Sequence, residues 1–434
     1  MTGRRPQPDA EERAEDALDL VQTFGPMAGM HAALERMGAG APCGLVARFQ
    51  RRGIAEVEAA VSAAAELFPI LNHGLAWRGS RPVLVPLAPG GLAHARVSAA
   101  PLAFRSSPHR PAWRYQLNRD GGDVWFRGVW AHAIADGGSM LRFLEAISAH
   151  LDGHGAVLSA PKPCPAKTPG PQAAWLPGFL VERHLPYTPL ATRKIETPGV
   201  AWLSFDKSET ARLLEHARTG GASFAGWLAA AASIAYVHQQ KRNQTGRVSL
   251  DVPISRRSLD PVGGFGFSAG SLLTPVKVTQ DSDTAALAKR VHQRVQAMKD
   301  RAWDENLNRF IGSDPKQHLR FAGLDARGLS APRVTVSWKR GERALGGQDG
   351  VRDVACFASS RSVHVSAHLD RNGLSLSLAS PQSPPAREAL LRAIVERLGG
   401  AARSAEHILS MGDLGGNSGE PARAPPRVVV LAED

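Results

Sequence analysis

His132 and Asp136 stand four residues apart in the run Asp123-Val-Trp-Phe-Arg-Gly-Val-Trp-Ala-His132-Ala-Ile-Ala-Asp136-Gly137. An imidazole accepts a proton near neutral pH, and a carboxylate close by can orient it or shape the loop that carries it. A glycine next in line allows close backbone approach and a positive φ. The pattern alone is short, and a lone histidine is more often a satisfied core or surface residue than a catalyst. Its setting gives it weight. Val124–Trp130 is rich in β-branched and aromatic residues and follows the turn signal Asp120-Gly-Gly, which predicts a strand. Beyond Gly137-Gly138, Met140, Leu144, Ile147 and Leu151 recur at helical spacing, and Leu141 and Phe143 widen the apolar stripe. The pair therefore lies on a loop between a strand and a helix, where rigid elements can hold reactive groups in place.

Other reactive side chains compete with this loop. Gly266-Phe-Ser268-Ala-Gly270 matches the G-x-S-x-G nucleophile elbow of α/β-hydrolases, with His364 or His368 and Asp370 downstream. With 43 glycines in the chain, such a match arises easily by chance. An elbow also requires a helix after the turn, whereas Leu272-Leu-Thr-Pro-Val-Lys-Val278 predicts a strand. His364 and His368 alternate with Ser366 on the polar face of one strand. Four strand residues span about 13 Å, too far for the two rings to share a metal ion, so they are expected on the hairpin surface or lining a tunnel. No phosphate-binding or dinucleotide glycine pattern and no metal-ligand spacing appears.

Strand, His-x-x-x-Asp-Gly and amphipathic helix together resemble the signature of the chloramphenicol-acetyltransferase-like superfamily. That superfamily includes peptide-synthetase condensation domains and acyl-CoA-dependent acyltransferases. The condensation form carries two adjacent histidines; Ala131 stands at the first of them here, which leaves His132 matching the general base. The order helix, Pro69-Ile-Leu71, strand, turn, strand also looks like the opening of such domains, with Asn72 where an arginine commonly follows. The resemblance implies that Asp136 is structural and pairs with an arginine from the other half. Val248-Ser-Leu-Asp-Val-Pro-Ile-Ser-Arg256-Arg257 is similar to the stretch that supplies it; Arg257 matches the spacing best and Arg256 is one residue off. The bland alternative is two solvated arginines on a turn. Ser337, at a strand end, falls where the family often has a hydroxyl near the reacting carbonyl, and is otherwise an ordinary strand serine.

The fold so implied is mixed α/β, two chloramphenicol-acetyltransferase-like subdomains in a V with an active-site tunnel at their interface. The implied reaction moves an acyl group from a thioester, on coenzyme A or on an acyl or peptidyl carrier protein, to a small-molecule hydroxyl or amine. His132 would deprotonate the acceptor. No metal or redox cofactor is implied, and the coenzyme A or phosphopantetheine thioester is a co-substrate. A free-standing condensation-type enzyme and a degenerate homologue that only binds a carrier protein stay open, since Ala131 and Asn72 allow the latter.

The 434 residues suffice for two or three domain-sized units, and 43% hydrophobic with 21% charged residues describes a globular chain. The net charge of +12 is spread along the chain, with three tyrosines and no basic run interleaved with aromatics, which argues against nucleic acid. A basic surface suits coenzyme phosphates or an acidic carrier, and is equally what an Arg- and Gly-rich composition gives. Cys43, Cys164 and Cys356 are odd in number and far apart, so no disulfide framework is expected and a reducing cytoplasm is the default. The charged start lacks a signal-peptide core, and the longest apolar run, Ala225–Val237, is too short for a bilayer. A cytoplasmic monomer without a membrane anchor is the expectation.

Periodicity divides the chain into an N-terminal subdomain at 1–195 carrying the His132 loop, a C-terminal subdomain at 199–411 and a tail at 412–434. The Pro-rich stretch at about 153–198 reads as a linker. Strands are expected at Gly44–Gln50, Gly74–Trp77, Arg81–Val85, Ala112–Asn118, Val200–Phe205, Val248–Ile254, Leu272–Val278 and Arg333–Trp338. Ser362–Asp370 and Leu374–Ala379 form the clearest hairpin, around Arg371-Asn372-Gly373. Helices are expected at Ile54–Leu67, Glu209–Thr219, Phe224–Gln240, Ala285–Asp300 and Ala386–Leu398.

Overall fold

Alternation along the hairpin strands sets the larger of two layers. In the computed structural model, which describes residues 24, 26–36, 40–88, 90–96, 107–153, 199–241, 246–255, 265–267, 269–312, 314–319, 333–340, 350–360, 363–400 and 407–410, every strand and helix expected from periodicity is present. The linker, Cys164 and the tail lie outside the described residues.

The first half runs α1 (Pro26–Arg36), β1 (Gly40–Phe49), α2 (Ile54–Glu66), β2 (His73–Arg78), β3 (Arg81–Pro86), β4 (Trp113–Asp120), β5 (Asp123–Trp130) and α3 (Gly137–Leu151). The second runs β6 (Gly199–Phe205), α4 (Lys207–Thr219), α5 (Phe224–Lys241), β7 (Gly246–Ser255), β8 (Ala269–Val278), α6 (Thr284–Asp300), α7 (Trp303–Ile311), β9 (Arg333–Arg340), β10 (Val351–Ser360), β11 (Val363–Asp370), β12 (Gly373–Ser380), α8 (Pro384–Arg397) and β13 (His407–Ser410). Of these α7, β10 and β13 had no clear signal. The start of α4 lies two residues before the expected Glu209, because Asp206 caps it: its carboxylate accepts from Glu209 N at 2.8 Å while Glu209 Oε2 accepts from Asp206 N at 3.1 Å.

A seven-stranded sheet has the order β13-β6-β12-β11-β9-β7-β8, with β9 parallel to both β11 and β7. One face, with Leu203, Leu250, Val336, Val365 and Leu376, packs under the helices of the second half. The almost wholly apolar α5 is buried there, as its composition requires. Among the described residues no single helix is long and apolar enough to cross a membrane.

The first half has a four-stranded sheet, order β10-β1-β5-β4, backed by α2 and α3. The α2 stripe Val57, Val61, Ala64 is buried as its spacing foretold. One member of this sheet comes from the second half: β10 pairs antiparallel with β1, Leu45 opposite Cys356. Arg48 holds that edge together, 2.8 Å from Asp123 and 3.4 Å from Asp353.

The two sheets meet through an apolar patch, Val46, Trp125, Val129, Ala355 and Phe357 against Val200, Trp202 and Ala379. Beside it lies a polar layer, the second face of β9, β11 and β12. His364, His368, Ser366 and Ser377 are all buried there, so His364 and His368 are not hairpin-surface residues. Ser377 Oγ donates to Cys356 O of β10 at 2.7 Å.

Candidate active site at the junction of the halves

The β5–α3 loop is built on a capped helix. Asp136 is the N-cap of α3, and its Oδ1 accepts from Ser139 N at 2.9 Å, with Ser139 Oγ 3.3 Å away. The same Ser139 hydroxyl donates to Gly266 O at 2.6 Å and accepts from Gly266 N at 3.0 Å. A backbone segment of the second half is thus hydrogen-bonded to the first turn of α3. Next to it Phe265 enters the first half's core, its ring 4.9 Å from Phe68. Asp136 thus caps α3; Arg256 and Arg257, the arginines expected to pair with it, lie outside the described residues.

His132 is oriented by its own loop. Its Nδ1 lies 2.9 Å from Ala135 O, which can only accept, so Nδ1 carries the proton and Nε2 presents a lone pair. Nε2 has no hydrogen-bond partner among the described residues. Beneath, the buried Cys43 Sγ points at the same Ala135 carbonyl, 3.4 Å away. The imidazole is flanked by two rings from distant parts of the chain, His31 of α1 at 4.1 Å and Phe267 at 5.5 Å. Met30 of α1 packs with Leu273, Leu307 and Ile311, so α1 reaches into the second half while delivering His31.

Burial lowers the pKa of His132 below 6.5, and the Lys339 ammonium adds to this. The bond to Ala135 and the Asp136 carboxylate oppose it without cancelling it. The ring is therefore neutral and basic at physiological pH. Asp136 acts on the ring through its charge, while its Oδ1 accepts from Ser139 N.

Gly137 meets the expectation of close approach but not that of positive φ; its backbone is not left-handed. A Cβ there would overlap Lys339 Nζ, which rests on this residue from β9. On the same face of β9, two residues earlier, is Ser337. Ala358 N donates to His364 Nδ1 at 2.9 Å, which fixes the proton on Nε2. That Nε2 lies 3.0 Å from Ser337 Oγ and donates to it, leaving the serine's own proton for another acceptor. His364 is driven down to about 3, first by burial, then by the Lys339 charge, with His132 adding to this when it is protonated.

The hydrolase elbow is not built. Ser268 lies outside the described residues, but β8 begins at Ala269, so a strand and not a helix follows the motif. His364 is engaged by Ala358 and Ser337.

Sequence reasoning missed His31, Phe267, Ser139 and Lys339. Two of them had a readable signal: Asp136-x-x-Ser139 is a capping spacing, and the alternation that aims Ser337 also aims Lys339. His31 and Phe267 had none, since their contacts join distant segments.

Comparison with known proteins bears on the fold. Residues 195–314 match the family model described as phthiocerol/phthiodiolone dimycocerosyl transferase C-terminus. No curated protein matches the chain by sequence. The first condensation domain of the calcium-dependent antibiotic synthetase superposes with TM-score 0.61 at 17% identity, covering 90% of this chain and 99% of that one. Polyketide synthase associated protein 5 from Mycobacterium tuberculosis gives TM-score 0.57 at 15% identity, with 84% and 96% covered. Trichothecene 15-O-acetyltransferase from Fusarium sporotrichioides gives TM-score 0.61 at 11% identity, with 88% and 97% covered. The resemblance carried by the His132 loop is thereby borne out at the level of fold: this chain shares the two-subdomain α/β fold of a solved condensation domain and a solved acetyltransferase.

Proposed function

We propose that the protein is an acyltransferase that moves an acyl group from a thioester donor to a hydroxyl or amine acceptor, with His132 as general base. The observation that carries this is the tautomer of His132: Nδ1–H is committed to Ala135 O, which leaves an unshared Nε2 lone pair on a desolvated, neutral ring at the junction of the halves. The acceptor's O–H or N–H gives its proton to Nε2 as its heavy atom bonds to the thioester carbon. The carbonyl π electrons move to oxygen, where the Ser337 hydroxyl, its lone pair held by His364 Nε2–H, donates. Collapse of the tetrahedral adduct breaks the C–S bond, and the thiolate takes the proton back from Nε2–H. Arg257 pairing with Asp136 across the halves belongs to this reading.

The donor is the thioester of coenzyme A or of a carrier protein; the relatives of this fold include both acetyltransferases and condensation domains. Incubation with a panel of acyl thioesters and candidate amines or alcohols, followed by intact mass of the products, tests the activity. His132→Ala should lower the rate by about a hundredfold to ten-thousandfold, while Ser268→Ala should leave it nearly unchanged. The reverse result sinks this reading in favour of a serine hydrolase, and loss of neither favours a carrier-binding protein without catalysis.

A further inference from the structure

Among the described residues, Lys339 is a cation beside the His132 loop with no counter-ion. In β9, Val334, Val336 and Trp338 turn to the helix-side core, so Thr335, Ser337 and Lys339 share the face toward the first half. Lys339 is partly buried, and its Nζ lies on the backbone of Gly137, one residue past Asp136. Among the described residues no carboxylate comes within ion-pair distance and no acceptor within hydrogen-bond distance of it. Asp136 is occupied as the cap of α3. The other titratable groups that feel the ammonium are Cys43, His132, His364, His368 and Cys356, and burial keeps all five in their neutral forms. Partial burial of a charge favours a partner of opposite sign, and the described residues supply none.

We infer that Lys339 binds a carboxylate carried by one of the two substrates close to the bond that reacts. This rests on the acyltransferase reading for its direction, because it names the substrate class of that site. The phosphates of a coenzyme A or carrier donor are separated from the thioester by the whole pantetheine arm, so they lie at the entrance when the thioester is at His132. The anion that meets Lys339 must therefore belong to the acyl chain or to the acceptor.

Two matched pairs separate the sources. Succinyl-CoA against butyryl-CoA tests the acyl chain, and L-threonine against L-threoninamide tests the acceptor, each by calorimetric binding and by transfer. In one pair the carboxylate member should bind roughly ten- to a hundredfold better. Lys339→Met should abolish that preference and Lys339→Arg should retain part of it, with thermal melts confirming that both variants fold. Gly137→Ala, which displaces the ammonium without removing it, should weaken the same preference. Equal binding within both pairs, or a preference that survives Lys339→Met, overturns the inference. So does an equal slowing of charged and neutral substrates by Lys339→Met, which would make the ammonium a stabiliser of the reacting oxyanion. A carboxylate preference without transfer from any thioester would remove the acyltransferase reading and leave this one standing.

Discussion

Acid should unfold this protein through two histidines of the buried polar layer. His364 accepts a hydrogen bond from Ala358 N on Nδ1, so protonation there sets two hydrogens against each other. His368 has neither ring nitrogen hydrogen-bonded and is cut off from water. Its 4.0 Å approach to Asp370 is too long for a hydrogen bond and is no ion pair while the ring is neutral. Burial, helped by the Lys339 charge, holds both rings down at about 3 against 6.5 when unfolded. Between those values the unfolded chain binds more protons than the native one, so stability is full above 6.5 and falls as pH drops through the window. Each histidine removes about 1.4 kcal/mol per pH unit. Because the unfolded rings are only half protonated at pH 6.5, going from 6.5 to 5.0 costs the pair about 3 kcal/mol, a large share of a typical stability of about 5–15 kcal/mol. Urea unfolding at pH 6.5 and 5.0 measures this, and stopping at 5.0 keeps most carboxylates ionised. His368→Gln should remove about half of the difference, about 1.6 kcal/mol. A stability that is flat over this interval, or a variant that keeps the full wild-type loss, would refute the reasoning.

Further outcomes concern the site and the join between halves. With a hydroxyl acceptor, kcat/KM should stay level below pH 6.5 and fall only at the lowered His132 value; an acid limb centred above 6.5 would show that a different group is the base. Ser337→Ala should cut kcat by about a hundredfold or more with little change in KM, if its hydroxyl meets the oxyanion, as steady-state kinetics would show. Phe265→Ala should cost about 3–5 kcal/mol in chemical denaturation, because the ring fills the first half's core from the second half.

What the sequence disclosed followed from local rules. The Val124–Leu151 unit combines a β-branched strand, a turn and a period of 3.6, and the structure has each element within a residue or two. The same holds for the hairpin around Asn372, where Asp370 pairs with Gly373. Strand β10 was illegible because its middle, Val354-Ala-Cys-Phe357, is buried on both faces and so lacks strict alternation. The short, highly amphipathic α7 was passed over beside longer helices. At the site, His132 and Asp136 could be placed from one segment. The tilted contact of His31 with His132 and the perch of Lys339 on Gly137 depend on how far-apart segments converge, and no local pattern encodes that.

The crossing of β10 has a consequence for how the chain is made. As synthesis proceeds from the N-terminus, β1, β5 and β4 can pair early, but the outer edge of β1 stays open until residues 351–360 emerge. An unpaired strand edge of this kind invites pairing with other chains. The two halves are therefore coupled in time as well as in space. Cutting the gene between residues 195 and 199, where composition suggests a clean boundary, would yield a first piece with a permanently unsatisfied edge and a second piece with a strand that has nowhere to dock. Supplying residues 351–360 as a separate peptide to cover the edge of β1 would be the rational way to make the first piece soluble.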